Sequence, residues 1–228
     1  GLPDGFEHWI VKFTPPEYPY RGRCEYEIMQ KARAAGIETS ECRLFELDGI
    51  EHFMTKRFDR DGQRRYHVQT LAAIAHLPTG MGAEVCSYDN IFSVIEDLGL
   101  GYESKEQMFR RMAFNVLAWN CDDHVKNIAY LMDRRGEWSL APAYDECYAH
   151  NPEGDWTSRH QMSVNGKRIG ITDDDILSCA RFANMRERKA RAVLDEVKSA
   201  VHDWPRFAAE AEVREDFVDA ISHQLGLE

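Results

Sequence analysis

The hydrophobic period of this chain changes once along its length, and that change limits the fold more than any other feature. Up to about residue 60, apolar residues fall in short β-branched and aromatic blocks; from Val68 onward they recur at three- and four-residue spacing. His8-Trp9-Ile10-Val11-Lys12-Phe13 has strand character and ends at Pro15-Pro16. Two further strands are predicted over 42–47 and 50–58, joined by Asp48-Gly49, a dipeptide that favours a tight hairpin. A helix over 25–35, closed by Gly36, lies between the first strand and this hairpin. The order strand, helix, strand, strand predicts a small mixed sheet carrying one helix.

Helices are predicted over 68–75, 88–98, 105–119, 173–183, 186–202 and 205–225. One stretch breaks the helical rule. Residues 120–150 hold a polar segment, a strand pair over 128–132 and 138–140, and the Asp133-Arg134-Arg135-Gly136 turn between them. The expected fold class is therefore α+β, in two lobes: a β-rich lobe over 1–61 and a larger, mainly helical lobe over 62–228. A polar loop and hairpin set into a helical lobe are where a site is expected.

Composition excludes some classes. The net charge is −11, with no lysine- or arginine-rich tract, which argues against a broad nucleic-acid footprint. The six cysteines form no Cys-x-x-Cys pair, so neither zinc nor a disulfide framework is expected, and a reducing cytoplasm is the simpler setting. No apolar run approaches the roughly 20 residues needed to span a bilayer, no signal peptide is recognised at the start, and no membrane role is expected.

The segment Asn120-Cys121-Asp122-Asp123-His124-Val125-Lys126-Asn127 gathers acids, an imidazole, an amine and an amide after a long apolar helix. A solvated turn is one reading, because Asp and Asn favour turns. Downstream, Leu140-Ala141-Pro142-Ala143-Tyr144-Asp145 places another acid just past a strand end, and the Gly136 turn is expected to return Asp145 toward Asn127. An amide and a carboxylate brought together make hard oxygen ligands for Mg²⁺. Asp122, five positions before Asn127, is then placed to accept the proton of an attacking hydroxyl, with Asp123 the less favoured base. Lys12 is either an edge-strand gatekeeper or a phosphate-orienting cation. Its candidate partner is Glu25, which shares a helix face with Ile28, Met29 and Ala32; the helix dipole alone also explains a Glu there.

Five segments, in this order, resemble the HipA family of serine/threonine kinase toxins. They are Trp9-Ile10-Val11-Lys12-Phe13, Lys56-Arg57-Phe58-Asp59-Arg60, Asp122 to Asn127, Leu140 to Asp145, and His160-Gln161-Met162-Ser163-Val164-Asn165-Gly166-Lys167. The resemblance implies a two-lobed protein-kinase-like fold and Mg²⁺- and ATP-dependent transfer to a protein hydroxyl. It implies that Lys12 contacts the nucleotide phosphates and that Lys56, Arg57 and Phe58 form the hinge that meets the adenine. Asp122 is the implied base, His124, Val125, Lys126 and Asn127 line the ATP and metal site, and Tyr144 and Asp145 complete it. Implied partners are a protein substrate, in family members an aminoacyl-tRNA synthetase, and a DNA-binding antitoxin.

Three departures from the family pattern accompany the resemblance. The glycine-rich phosphate loop with its regulatory phosphoserine, and the small N-terminal subdomain, precede the 9–13 strand in the family and are not found in this sequence. Lys56 also stands where an acidic hinge residue is expected. The alternative expectation is an impaired kinase or binding module that works through a partner. Asp173-Asp174-Asp175 is expected to be an acidic helix start capped by Thr172 and not a metal site. His67 is expected as a cap or surface group, and Trp119, Trp138 and Trp156 as packing residues.

Overall fold

The fold is described from a computed structural model, which describes residues 3, 5–80, 83–206, 218–219 and 222–223. The helix expected over 205–225 lies largely outside the described residues.

The first strand, β1 (Trp9–Lys12), leads to helix α1 (Arg21–Ala34), then to β2 (Cys42–Leu47) and β3 (Ile50–Lys56). Asp48 and Gly49 both take positive φ, +53° and +75°, as a two-residue hairpin requires. The hairpin therefore pairs Leu47 with Ile50 and Cys42 with Thr55, and β1 adds to the other edge of β3 with Lys12 opposite Phe53. The resulting order is β1-β3-β2. Both ladders are antiparallel, so the sheet expected as mixed is not mixed: β1 and β2 run the same way and are joined by the α1 crossover, but β3 lies between them and pairs antiparallel with each.

Helix α1 begins four residues before the expected start. Gly22, in its first turn, lets the helix press against β3: a Cβ there would lie 2.5 Å from the Glu51 carbonyl and 3.0 Å from the Phe53 amide nitrogen. Met29 packs with Cys42 and Phe53 under the sheet, whereas Cys24, Ile28, Ala32 and Ala35 belong to the main core of the helical half. The helix is thus shared between both layers.

Beyond the sheet come the short antiparallel pair β4 (Arg60–Asp61) and β5 (Arg64–Arg65), then β6 (His67–Thr70) and the one-turn helix α2 (Leu71–Ile74). The helix expected over 68–75 is therefore half strand. Val68 and Thr70 pair with Leu131 and Ala129, and the Thr70 hydroxyl caps the turn that follows by accepting from the Ala73 N–H (3.3 Å). Helices α3 (Tyr88–Asp97) and α4 (Tyr102–Leu117) carry the core residues Tyr88, Ile91, Ile95, Met108, Phe109 and Met112. Strands β7 (Ala129–Met132) and β8 (Trp138–Leu140) form the expected hairpin, with β6 as third strand on the edge of β7.

Helix α5 (Asp173–Ser178) stops short of residue 183 and tightens into a 3₁₀ turn over Cys179–Arg181. Its start is as read from the sequence: Thr172 and Asp175 cap each other reciprocally. Helix α6 (Glu187–His202) closes the core with Val193, Leu194 and Val197. All six cysteines are free. No helix among the described residues is long and apolar enough to cross a membrane.

Candidate functional site

Lys12, at the end of β1, reaches into the cleft between the sheet and the helical half. Its amine forms ion pairs with Glu25 of α1, the partner read from the sequence, and with Asp145, which was read apart from them. Burial lowers the pKa of Lys12, but the two carboxylates outweigh it and the net shift is upward, so the lysine stays a cation. Glu25 is pushed up by its burial, with Lys12 opposing. The cleft thus holds one ammonium between two acids.

Asp145 owes its place to the backbone. The Ala143 N–H donates to the Glu38 carbonyl (2.7 Å) and the Ser40 N–H donates to the Ala143 carbonyl (3.2 Å), tying the segment after β8 to the loop after α1. Two residues on, Asp145 takes a left-handed φ of +60°, a conformation Asp tolerates better than most residues. The Tyr144 hydroxyl donates to the Lys126 carbonyl (2.7 Å), joining this segment to the polar loop.

That loop follows α4 and runs into β7. The Asn127 side-chain amide donates to the Asp122 carbonyl (3.1 Å), which leaves its oxygen as the free acceptor. Asn127, His124 and Asp145 line one small cavity, and buried His124 Nδ1 has no hydrogen-bond partner among the described residues. An amide oxygen, a carboxylate and an unmatched imidazole nitrogen suit a ligand that brings its own polar groups. The amide oxygen and the carboxylate are hard oxygen donors, the kind of ligand Mg²⁺ takes.

The Asp122 carboxyl is pushed above the usual carboxylate range by burial, with Asp145 adding to the shift and His124 opposing it. His124 Nε2 lies 3.8 Å from Asp122 Oδ1. The neighbouring Asp123 differs in kind. It is 2% exposed and accepts from the Tyr88 hydroxyl (2.9 Å) and the Gln161 N–H (2.7 Å), with His160 Nδ1 at 3.1 Å. Asn115 donates to Tyr88 (3.1 Å), and Asn120 donates to both Asn115 (3.0 Å) and Glu146 (3.2 Å), so one buried network fastens the polar loop to α3 and α4. Burial pushes Glu146 up to about 7. Nothing in the sequence distinguished Glu146, apart from its position beside Asp145.

Two cavities meet at Lys12 and Asp145. One, of about 380 Å³, is lined by Ile10, Phe53, Val68, Phe58 and Tyr144 and includes Lys56 and Arg57. Phe58 and Tyr144 stand 5.4 Å apart, ring centre to ring centre. The other, of about 650 Å³, is lined by Lys12, Glu25, Asp122 and Asp145. Lys56 reaches Glu7 and Glu41, acids outside this lining, and Arg57 pairs with Asp59. Not every residue in the expected set gathers at these two cavities. Val125 is buried in the main core, and His124, Val125 and Lys126 line a separate cavity that also includes Asp122.

Residues 2–204 match the family described as the HipA-like C-terminal domain. A Sinorhizobium fredii protein named "Putative kinase Y4dM" is 27% identical over 209 residues, covering 85% of this chain and 49% of that protein. A "Putative kinase" of Haemophilus influenzae is 25% identical over 151 residues, covering 60% of this chain and 44% of that protein. The chain spans about half the length of these curated relatives. Among solved structures, Shewanella oneidensis HipA, in its complex with HipB and operator DNA, superposes with a TM-score of 0.75 at 20% identity, covering 95% of this chain and 56% of that one. The Helicobacter pylori proinflammatory kinase CtkA gives 0.58 at 16% identity, covering 100% and 91%. The fold is the kinase-like fold of these neighbours, and the chain belongs to the HipA-like C-terminal domain family.

Proposed function

We propose that this chain is the catalytic core of an ATP- and Mg²⁺-dependent serine/threonine protein kinase. The observation that carries the reading is Lys12 bridging Glu25 and Asp145 across the cleft that Asp122 also lines. A strand lysine paired with a helix glutamate, a base, and an amide and carboxylate for metal are the parts that phosphoryl transfer uses in kinases.

In this reading residues 1–61 cover the nucleotide and residues 62–228 supply the floor of the cleft. The adenine lies in the apolar cavity between Ile10, Val68 and Tyr144, against the Lys56–Phe58 hinge. Lys12 holds the phosphates, and Glu25 fixes the direction of the lysine. Asn127 and Asp145 would hold Mg²⁺, which supplies charge neutralisation at the phosphate oxygens when bound. Asp122 takes the proton from a serine or threonine hydroxyl as its oxygen bonds to the γ-phosphorus; the bond from that phosphorus to the β–γ bridging oxygen breaks, and ADP leaves. The raised pKa of Asp122 suits a base, because a more basic carboxylate is a better proton acceptor once ionised.

A toxin role restrained by an antitoxin is part of the proposal. Its support is the family and the fold shared with a HipA solved together with HipB and operator DNA. The substrate class, by the same resemblance, is a protein such as an aminoacyl-tRNA synthetase. The test is transfer of labelled γ-phosphate from ATP to cell-extract protein by the intact protein, beside Asp122→Asn and Asp145→Asn. Each variant is expected to lose on the order of 10²-fold or more in rate. Equal labelling by all three proteins would end the assignment.

A further inference from the structure

Asp122 lines two cavities. One holds Lys12, Glu25 and Asp145, where the proposed phosphates sit. The other, of about 270 Å³, includes none of those three residues. Asp122, His124, Val125 and Lys126 form one wall; Pro78, Thr79, Gly80, Trp156 and Gln161 contribute to the rest. A general base must face its acceptor and not only the phosphate. We propose that this second cavity seats the acceptor: a serine- or threonine-bearing peptide segment with an apolar neighbour and an acidic residue nearby. The proposal rests on the kinase reading above and names the substrate class of the same site.

Three observations shape the class. The cavity is larger than a hydroxymethyl group needs, so there is room for a neighbouring side chain, and Pro78, Val125 and the Trp156 indole give it apolar walls. Trp156 is 54% exposed, unlike the packing residue expected from the sequence, and its indole edge lies against Gly80, at 4.0 Å from where a Cβ would stand. Exposed Lys126 makes no ion pair among the described residues, so it offers a cation to an acidic side chain.

The Trp156 wall is not loosely hung. Gln161 donates from its side chain to the Trp156 carbonyl and from its backbone to Asp123, the residue next to the proposed base. The acceptor wall and the catalytic loop therefore share one anchor.

The experiment offers the intact protein a degenerate serine-centred peptide library and, separately, a pool of small alcohols, with labelled ATP and Mg²⁺. Trp156→Ala removes a wall and Thr79→Trp fills the space; ATP binding is followed in parallel by thermal shift. The expected result is labelled peptides enriched in apolar and acidic neighbours, at least a tenfold loss of labelling in both variants, and an ATP shift unchanged in both. Wild-type labelling in both variants overturns the proposal. So does loss of the ATP shift together with labelling, which would make the cavity part of the nucleotide site. Labelling of small alcohols but no peptides rejects the substrate class, and with it the protein acceptor of the kinase reading, while phosphoryl transfer at Asp122 stands. A wild type that neither binds ATP nor transfers phosphate rejects that reading, and this proposal with it.

Discussion

Asp122 and Asp123 are adjacent acids with opposite surroundings, and the difference predicts opposite responses to mutation. Asp123 is buried, with the Tyr88 hydroxyl, the Gln161 N–H and His160 all turned toward it. Asp123→Ala leaves those groups unmatched in the core and is expected to cost about 2–4 kcal/mol of stability in urea denaturation. Asp122→Asn, in contrast, is expected to change stability by less than about 0.5 kcal/mol while removing transfer. Similar stability losses in the two variants would contradict the division of roles. The five-residue spacing to Asn127 was enough to prefer Asp122 from the sequence. The task of Asp123 was not legible there, because its partners Tyr88 and His160 lie 35 and 37 residues away. Glu146 stayed hidden for a similar reason: its surroundings are made by Asn120 and Arg111, which reach it only through the fold.

At the level of elements, α1 matters most, because it carries Glu25 toward Lys12. Its approach to the sheet depends on Gly22, which leaves no room for a methyl group against the Glu51 carbonyl. Gly22→Ala is expected to push α1 off β3, lowering stability by about 1–3 kcal/mol and weakening ATP binding as Glu25 withdraws from Lys12. Thermal denaturation and an ATP titration check the two effects; unchanged ATP affinity would separate the helix position from the site. Much at this scale was readable. The Asp48-Gly49 hairpin, the Trp138–Leu140 strand, the Thr172 cap and the long helices α3, α4 and α6 follow from local turn chemistry and periodicity. The failures lay where tertiary pairing decides. Val68 to Ala75 satisfies a helical spacing, yet the free edge of β7 recruits its first half as a strand. The early start of α1 is not legible in the sequence, because Gly is a poor helix former and the close approach of β3 that calls for Gly22 exists only in the fold.

Across the whole molecule, α1 joins the two halves, and Lys31 secures its far end. The buried Lys31 amine donates to the Ala200 and Val201 carbonyls (3.0 Å each), in the last turn of α6, and lies 5.4 Å from the Trp204 ring centre. Burial pushes Lys31 down to about 7, with Asp203 and Glu27 opposing and Arg206 reinforcing. A depressed lysine binds fewer protons in the folded state than in the unfolded state between about pH 7 and its ordinary value of about 10.4, so its contribution to stability rises with pH across that window. Relative to Lys31→Met, the wild type is expected to gain up to about 1.4 kcal/mol per pH unit there, measured by urea denaturation. Parallel pH profiles of the two proteins would reject this.

The proposed function makes the cleft around Lys12, Asn127 and Asp145 a metal-dependent nucleotide site. The most direct measurement is the thermal shift produced by ATP with and without Mg²⁺, on the wild type and on Asp145→Asn. At ATP concentrations about 100 times Kd, binding adds about 2.7 kcal/mol to wild-type stability. The wild type is expected to show a shift that needs Mg²⁺, and Asp145→Asn one that has lost its Mg²⁺ dependence. No shift in the wild type, or the same shift in both proteins regardless of Mg²⁺, would contradict it.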